Sequence, residues 1–281
     1  MSRRGAANIA GPALALVLIL LAAVSVVLFG RRAGWLPADI SAHGPGVDGQ
    51  LNLTLLITGL LFVAAQLGLA YVAWRYRARS AQGGRGDGGR AAGHRGNGKL
   101  EAVWTAATAA LFVGLILTGY RVWAEMYLSA APAGALQIDV QGEQFAYSFR
   151  YAGADGRFGP VHPEKIDDAD GNPWGLDRDR DADSKDDIVT ATLGIPVGRP
   201  VELLLRSRDV VHSFDVRELR IQQDMLPGME IPIHFTATQT GQYEIFCTQL
   251  CGLGHYRMRA FLKVMPAKLF EKWLQDQAST Q

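Results

Sequence analysis

Three long apolar stretches without a charged side chain dominate the first 125 residues, and they limit the possible folds more than any other feature. They cover residues 11–30, 51–74 and 102–120. A helix rises about 1.5 Å per residue, so each stretch is about long enough to cross a bilayer core of about 30 Å. The second and third stretches are therefore predicted to span a membrane. The first follows Arg3 and Arg4, and it is either a third span or a signal peptide.

The connection between the second and third stretches indicates how they are oriented. It contains a single acid, Asp87, and seven basic residues: Arg75, Arg77, Arg79, Arg85, Arg90, Arg95 and Lys99. Short loops rich in Lys and Arg stay in the cytoplasm, so the chain after about residue 124 is predicted to lie on the outer face. Residues 80–98 include eight glycines, which is typical of a flexible linker. We interpret the basic residues as a topology signal and expect no nucleic-acid partner.

These features divide the chain into three predicted parts. Residues 1–50 hold the signal peptide or extra transmembrane helix and an outer loop. Residues 51–124 form a transmembrane helical hairpin with a cytoplasmic Gly/Arg-rich linker at 75–99. Residues 125–281 form the outer domain.

The outer domain shows the pattern of an all-β fold. Short runs of β-branched and aromatic residues, bounded by Gly, Pro and Asp, cover residues 201–206, 231–236, 242–246 and 260–264. Several short strands at such spacing predict a sandwich or a barrel. Phe270, Trp273 and Leu274 have helical spacing after Pro266, which predicts a final helix packed against the strands.

An acidic insert, residues 155–187, interrupts the outer domain. Between residues 164 and 187 there are ten acidic and four basic side chains. The alternating Asp-Arg-Asp-Arg-Asp-Ala-Asp run at 177–183 is similar to oxygen-rich calcium loops, but it lacks the glycine and the final glutamate of an EF-hand. We interpret the insert as a solvated acidic loop, with a calcium-stabilised loop as the alternative.

The two cysteines, Cys247 and Cys251, are followed closely by His255 and Met258. Thiolates with imidazole select copper or zinc over magnesium and calcium. Zinc sites seldom use methionine, so the thioether favours copper. His212 follows a predicted strand and would complete the set; a structural histidine and a Cys247–Cys251 disulfide are the alternatives. The sequence has no Cys-x-x-Cys-His motif, so no covalently attached haem is expected.

These motifs together resemble subunit II of the cytochrome c oxidases, and the resemblance covers roughly residues 50–275. The similar segments are His-Ser-Phe at 212–214, Cys-x3-Cys-x3-His-x2-Met at 247–258, and residues 224–228, 99–105 and 142–151. The resemblance implies a membrane-anchored all-β protein, in which two or three transmembrane helices precede a cupredoxin-like β-sandwich with a C-terminal helix. The N-terminal stretch and the acidic insert fall outside it.

The resemblance also implies a binuclear copper A centre and its ligands. Two copper ions would be bridged by the sulfurs of Cys247 and Cys251. His212 and His255 would each give a ring nitrogen, Met258 a weak thioether, and residue 249 a backbone carbonyl. The family usually has glutamate at that last position, where its carboxylate also contacts a magnesium shared with subunit I. Gln249 offers a neutral amide instead, which puts magnesium in doubt.

Two further roles follow from the resemblance. Glu101, at the start of the last span, matches a glutamate at a proton-uptake entrance; the alternative is a carboxylate stabilised by the helix dipole. Phe145 replaces the family's tryptophan through which an electron arrives from cytochrome c. Electron uptake is therefore expected through Phe145, through Tyr147 or by another surface.

The implied function is electron transfer in a respiratory haem–copper oxidase. The copper centre accepts electrons from a c-type cytochrome and passes them to the haem of subunit I, which reduces oxygen to water and drives proton translocation. Expected partners are subunit I with its haem and copper B, subunit III, the cytochrome and membrane lipid. The expected location is the bacterial cytoplasmic membrane, with the copper domain on the periplasmic side. The competing functions are a thioredoxin-like copper chaperone and a quinol-oxidising relative without copper ligands.

Overall fold

The computed structural model describes residues 3–31, 35–76 and 96–280, with side chains from residue 10 onward. The chain divides into two compact units. One comprises residues 1–36 and 49–119, and the other comprises residues 37–48 and 120–281. We call them the helical unit and the outer unit.

Three long helices precede the β-rich part of the chain: α1 (Arg3–Gly30), α2 (Gly44–Arg75) and α3 (Gly98–Tyr127). Each contains a segment long and apolar enough to cross a membrane, which in α1 is Ala10–Gly30. Both α2 and α3 extend beyond the predicted spans at 51–74 and 102–120. Within the helical unit, the Gln50 side chain donates a hydrogen bond to the Leu115 carbonyl over 3.2 Å, which joins α2 to α3. The predicted linker falls largely on residues 77–95, outside the described residues.

Ten strands form the outer unit. They are β1 (Leu136–Glu143), β2 (Ala146–Tyr151), β3 (Ile188–Thr190), β4 (Thr192–Pro196), β5 (Pro200–Ser207), β6 (His212–Val216), β7 (Ile221–Met225), β8 (Ile231–Thr236), β9 (Gly241–Phe246) and β10 (Arg259–Met265). The four runs predicted as strands match β5, β8, β9 and β10. A helix, α4 (Ala267–Ala278), follows Pro266 as expected.

The strands form two five-stranded sheets, ordered β3-β2-β1-β5-β8 and β4-β10-β9-β6-β7. The pairs β1–β5 and β4–β10 are parallel and the others are antiparallel. Alternation along the strands turns one face of each sheet inward, as with Val201, Leu203 and Leu205 of β5. Because each sheet buries one apolar face against the other, the outer unit is a β-sandwich. The cupredoxin-like fold class is confirmed.

Helix α4 packs against the sandwich through its aromatic face. The Trp273 ring lies 5.8 Å from that of Tyr151, and the Phe270 ring lies 6.4 Å from it. Gly194 of β4 leaves the space for this contact, since a Cβ there would lie 2.4 Å from the Trp273 ring. The helix therefore has a packing role, as its apolar spacing predicts.

A buried arginine holds the acidic insert on the sandwich. Arg150 of β2 contacts the carboxylates of Asp139 and Asp187, and all three side chains are at most 2 % exposed. The rings of Trp174 and Phe158 lie 4.7 and 4.9 Å from its guanidinium. Trp174 is fully buried and donates a hydrogen bond to Ser148 over 2.8 Å. The insert is therefore anchored by a buried cluster, although its acids are mostly at the surface.

Candidate metal centre

The predicted metal ligands come from one strand of the second sheet and from the loop that follows another. His212 begins β6. Cys247 directly follows β9, and Met258 directly precedes β10. Strands β9 and β6 are neighbours in the sheet and β9 pairs with β10 along its length. The sandwich therefore holds both ends of the metal loop, residues 247–258, next to His212.

The side chains of these residues lie close together. The two cysteine sulfurs are 3.9 Å apart, and the Cys251 sulfur is 3.7 Å from the Met258 sulfur. The same Cys251 sulfur is 3.6 Å from Nδ1 of His255. Ligand atoms of His212, Cys247 and Cys251 lie within 4.8 Å of one another. Donors far apart in the sequence thus surround one small volume.

The backbone carbonyl of Gln249 joins this set. Its oxygen lies 3.1 Å from the Cys247 sulfur, while the Gln249 side chain is exposed. The carbonyl can therefore act as a ligand whatever the side chain is. All six residues predicted from the sequence, His212, Cys247, Gln249, Cys251, His255 and Met258, are brought together.

The cysteines do not form the alternative disulfide, because both are free and a disulfide requires sulfurs about 2 Å apart. Both are buried, as are His212 and Met258. Burial, and then the neighbouring Cys247, raise the pKa of the Cys251 thiol to about 11. Metal binding requires thiolates, so the buried pair needs a nearby cation to ionise near neutral pH.

The environment of the His212 ring shows whether a metal ion would fit at this site. His212 is fully buried, and its Nε2 lies 2.7 Å from the Asp209 carboxylate. Among the residues that the structure describes, its Nδ1 is buried without a hydrogen-bond partner. A buried polar atom without a partner is costly, and a carboxylate on the opposite ring nitrogen is the usual support of a metal-binding histidine. The residues present fit a metal ion held by sulfur and imidazole.

Neighbouring side chains fix the shape of the loop. Gln144 donates from its side chain to the Cys251 carbonyl over 2.6 Å and from its backbone N–H to Asp209 over 2.8 Å. Thr248 donates to the Ser213 hydroxyl over 2.9 Å. Sequence analysis missed Gln144 and Asp209 as positioning residues. The Asp209-x-x-His212 spacing is a local signal, but Gln144 lies too far from Cys251 in sequence for such a signal.

Phe145 and Tyr147 differ in their access to the surface. The Phe145 ring is half-buried and covers the metal loop, since a Cβ added at Gly254 would lie 2.4 Å from that ring. Tyr147 is only 4 % exposed, and its hydroxyl donates a hydrogen bond to the Ser213 carbonyl. Burial also raises the pKa of Tyr147 strongly. Only Phe145 of this pair is available to an approaching partner.

Glu101 lies in the first turn of α3, within the helical unit. Its side chain is exposed. Asn97 accepts hydrogen bonds from the backbone N–H groups of Lys99 and Leu100 at 3.1 and 3.3 Å, which caps the helix start. Glu101 therefore has the position that the helix-dipole alternative requires, and its proton-uptake role stays a prediction.

The fold and the site define a membrane-anchored β-sandwich protein with a cluster of cysteine, histidine and methionine side chains that fits a metal ion. Comparison with known proteins gives the family. Residues 136–265 match the family model of the cytochrome c oxidase subunit II periplasmic domain. The alternative cytochrome c oxidase subunit 2 of Bradyrhizobium diazoefficiens is 35% identical over 267 residues, which cover 94% of this chain and 92% of the relative. The chain belongs to the cytochrome c oxidase subunit II family.

Two further proteins are similar to this chain. Cytochrome c oxidase subunit 2 of Thermostichus vulcanus is 31% identical over 275 residues, covering 87% of this chain and 79% of that protein. The crystal structure of the periplasmic domain of cytochrome oxidase subunit II from Bradyrhizobium japonicum is 23% identical, with a TM-score of 0.40. It covers 54% of this chain and 99% of that domain.

Proposed function

We propose that this chain is the electron-accepting subunit of a haem–copper terminal oxidase. It takes electrons from a c-type cytochrome at a binuclear copper centre and passes them to the haem of subunit I, where oxygen is reduced to water with coupled proton translocation. The observation that carries the proposal is the convergence of two free buried thiols, a thioether and the orphaned Nδ1 of His212. The reaction itself is inferred from membership of the cytochrome c oxidase subunit II family.

Each ligand has a distinct role in the proposed centre. Cys247 and Cys251 would hold the copper through their sulfurs, which lie 3.9 Å apart. His212 and His255 would each supply Nδ1, and Met258 and the Gln249 carbonyl would be weak ligands. When bound, the copper pair supplies a redox unit that spreads one electron over two metals. The sandwich keeps the ligands in place during electron transfer, because both ends of the loop belong to paired strands.

The donor site is proposed at Phe145. Its ring contacts the metal loop at Gly252 and Gly254. An electron that arrives at Phe145 would therefore reach the loop that contains the metal ligands across a van der Waals contact. Arg257 lies 6.0 Å from the ring centre, at cation–π distance. The buried Tyr147 is better placed to support the loop than to receive a partner.

A separate part of the metal loop is proposed to contact subunit I. Leu250, Leu253 and Tyr256 are 81%, 98% and 84% exposed. An apolar group of this kind on a rigid loop marks a protein interface. Subunit III is proposed as a further partner on the membrane side.

We propose that this reaction takes place at a membrane surface. Three helices have the length and composition to cross it. We propose the bacterial cytoplasmic membrane, with the outer unit in the periplasm. No magnesium is proposed beside the copper centre, because Gln249 lacks the carboxylate that the family uses for magnesium.

The competing functions fit less well. A thioredoxin-like copper chaperone would have its cysteines before a helix, whereas Cys247 and Cys251 lie between two strands of a sandwich. A quinol-oxidising relative lacks copper ligands, and all of them occur here.

Replacing each cysteine by serine tests the proposed function. The variants Cys247→Ser and Cys251→Ser should lose the binuclear copper absorption and cytochrome c oxidation, while the chain still inserts into the membrane. Met258→Leu is the graded comparison, with copper partly retained and a shifted potential, because an axial thioether is a weak ligand. A normal mixed-valence spectrum in Cys251→Ser would refute the assignment.

A further inference from the structure

A second group of side chains of the metal-ligating type lies in the outer unit and shares no residue with the predicted copper ligands. His43, Glu125 and His234 line one cavity of about 150 Å³. His43 precedes α2 in the outer unit, Glu125 lies near the end of α3, and His234 is on β8. Three segments that are distant in sequence thus contribute two imidazoles and one carboxylate to a single cavity.

Both histidines have one ring nitrogen engaged by a backbone carbonyl. Nε2 of His43 lies 2.8 Å from the Leu219 carbonyl, and Nε2 of His234 lies 3.0 Å from the Ser129 carbonyl. A carbonyl only accepts, so each ring carries its hydrogen on Nε2 and leaves a lone pair on Nδ1. Neither Leu219 nor Ser129 lines the cavity. Nδ1 is therefore the ring nitrogen of each histidine that has a lone pair to offer a ligand.

This arrangement is the usual support for metal-binding histidines, which donate their second ring N–H to a carbonyl or carboxylate. The surroundings also favour a cation. Burial lowers the pKa of His43, which keeps the ring neutral, and Asp39 and Glu125 add negative charge nearby. Glu125 is exposed, so its carboxylate is free to rotate toward the imidazoles.

We propose that His43, Glu125 and His234 form a binding site for a divalent transition-metal ion of the zinc type. Two histidines, one glutamate and a water are a common four-coordinate zinc set. The bound ion would join the segment before α2, the end of α3 and strand β8. Since it binds the folded chain and not the unfolded one, it would stabilise the outer unit by mass action.

Zinc retention by the full-length chain tests the site. The chain is purified in detergent through a tag without histidine, loaded with copper, equilibrated with Zn²⁺ and passed through a desalting column. The variants are His43→Gln and His234→Gln, since glutamine can still donate to the carbonyls. His162→Gln is the matched control, because His162 is also partly exposed and lies 3.6 Å from a carboxylate, that of Glu164.

The parent and the control should each retain one tightly bound zinc per chain and melt at a higher temperature with zinc. His43→Gln and His234→Gln should each weaken zinc binding by at least about tenfold, the scale of losing even a supporting contact. Their copper absorption should stay unchanged, which shows that they fold. X-ray absorption of the parent should show two imidazoles on zinc. Equal zinc affinity in all four proteins, or no retained zinc in the parent, would overturn the site.

Discussion

The Asp209 carboxylate contacts two parts of the metal centre. One oxygen holds Nε2 of His212, and the other accepts the backbone N–H of Gln144. The contact with His212 fixes the tautomer that leaves Nδ1 free for a metal. A single side chain thus orients a predicted ligand and positions the turn between β1 and β2, which contains Phe145.

Replacing Asp209 by asparagine should weaken copper binding. The variant keeps the size of the side chain but loses the charge that supports the imidazole, and such losses lower metal affinity by about 10–100-fold. Copper content after dialysis against a chelator measures the effect. Asp224→Asn is the control, since Asp224 accepts a hydrogen bond from Gln222 and does not contact a ligand. Equal copper retention in both variants would contradict the orienting role.

Phe145 should affect electron uptake without affecting the metal. Phe145→Leu removes the aromatic ring that covers Gly252 and Gly254, so reduction by cytochrome c should slow several-fold while the copper spectrum stays unchanged. Phe261→Leu serves as the control, because Phe261 is a partly exposed aromatic on β10. Rapid-mixing kinetics measure the rates. The donor site lies elsewhere if Phe145→Leu and Phe261→Leu react alike.

At the scale of elements, strand β6 contains a half-buried acid, Asp215, which is paired with Phe246 of β9. Burial raises the pKa of Asp215 to about 6, with Arg217 opposing and Glu218 adding to the shift. The folded chain therefore holds this proton up to about pH 6, whereas an unfolded aspartate releases it near the ordinary value of 3.8. The folded state binds more protons in this window, so stability falls as the pH rises through it.

Asp215→Asn should reduce this pH dependence. Melting temperatures of the full chain in detergent, measured from pH 4 to pH 7, should fall less with rising pH in the variant than in the parent. The asparagine variant should also be the more stable protein at pH 7. Parallel curves for the two proteins would show that Asp215 titrates normally.

Elements that depend on local pattern were predictable, and contacts between distant segments were not. The alternation in β5 and β10, the helix after Pro266 and the spacing of the metal loop all follow from nearby residues. The register that places Gln144 on the Cys251 carbonyl and the burial of Arg150 between two acids depend on tertiary packing. The cavity lined by both His43 and His234 also depends on tertiary packing. No local pattern encodes these contacts.

At the scale of the whole molecule, the acidic insert gives the outer unit a negative surface. Asp168 binds Arg208 through two hydrogen bonds of 2.7 and 2.8 Å, and Arg208 precedes Asp209 in the chain. Asp177 pairs with Lys165, and Asp181 accepts a hydrogen bond from Ser184. These acids thus have internal structural roles, while the Asp179 side chain is exposed.

Neutralising Asp177, Asp179, Asp181 and Asp183 together should slow turnover with cytochrome c at low ionic strength. Negative charge steers a basic partner, and about 0.1 M salt screens the field beyond about 10 Å. The difference from the parent should therefore fade as salt is added, with the copper spectrum unchanged. Glu271→Gln with Asp276→Asn on α4 is the control for lost surface charge. Identical turnover of variant and parent across the salt series would exclude steering.

The orientation of the chain can be tested on intact spheroplasts. Added protease should cleave sites after residue 124 and spare residues 80–98, because the basic connection is predicted to be cytoplasmic. Lysed spheroplasts are the control, in which both regions should be cut. Cleavage within residues 80–98 of intact spheroplasts would reverse the topology. N-terminal sequencing of the mature chain then decides whether the segment at 11–30 is a removed signal peptide.

The most direct measurement of the copper assignment is the metal content and spectrum of the purified full-length chain. Two copper ions per chain are expected, with the purple absorption and the electron paramagnetic resonance of one unpaired electron shared equally by two copper nuclei. This result requires both bridging thiolates, Cys247 and Cys251, which the structure places 3.9 Å apart. One copper per chain with a mononuclear spectrum, or zinc in its place, would contradict the assignment.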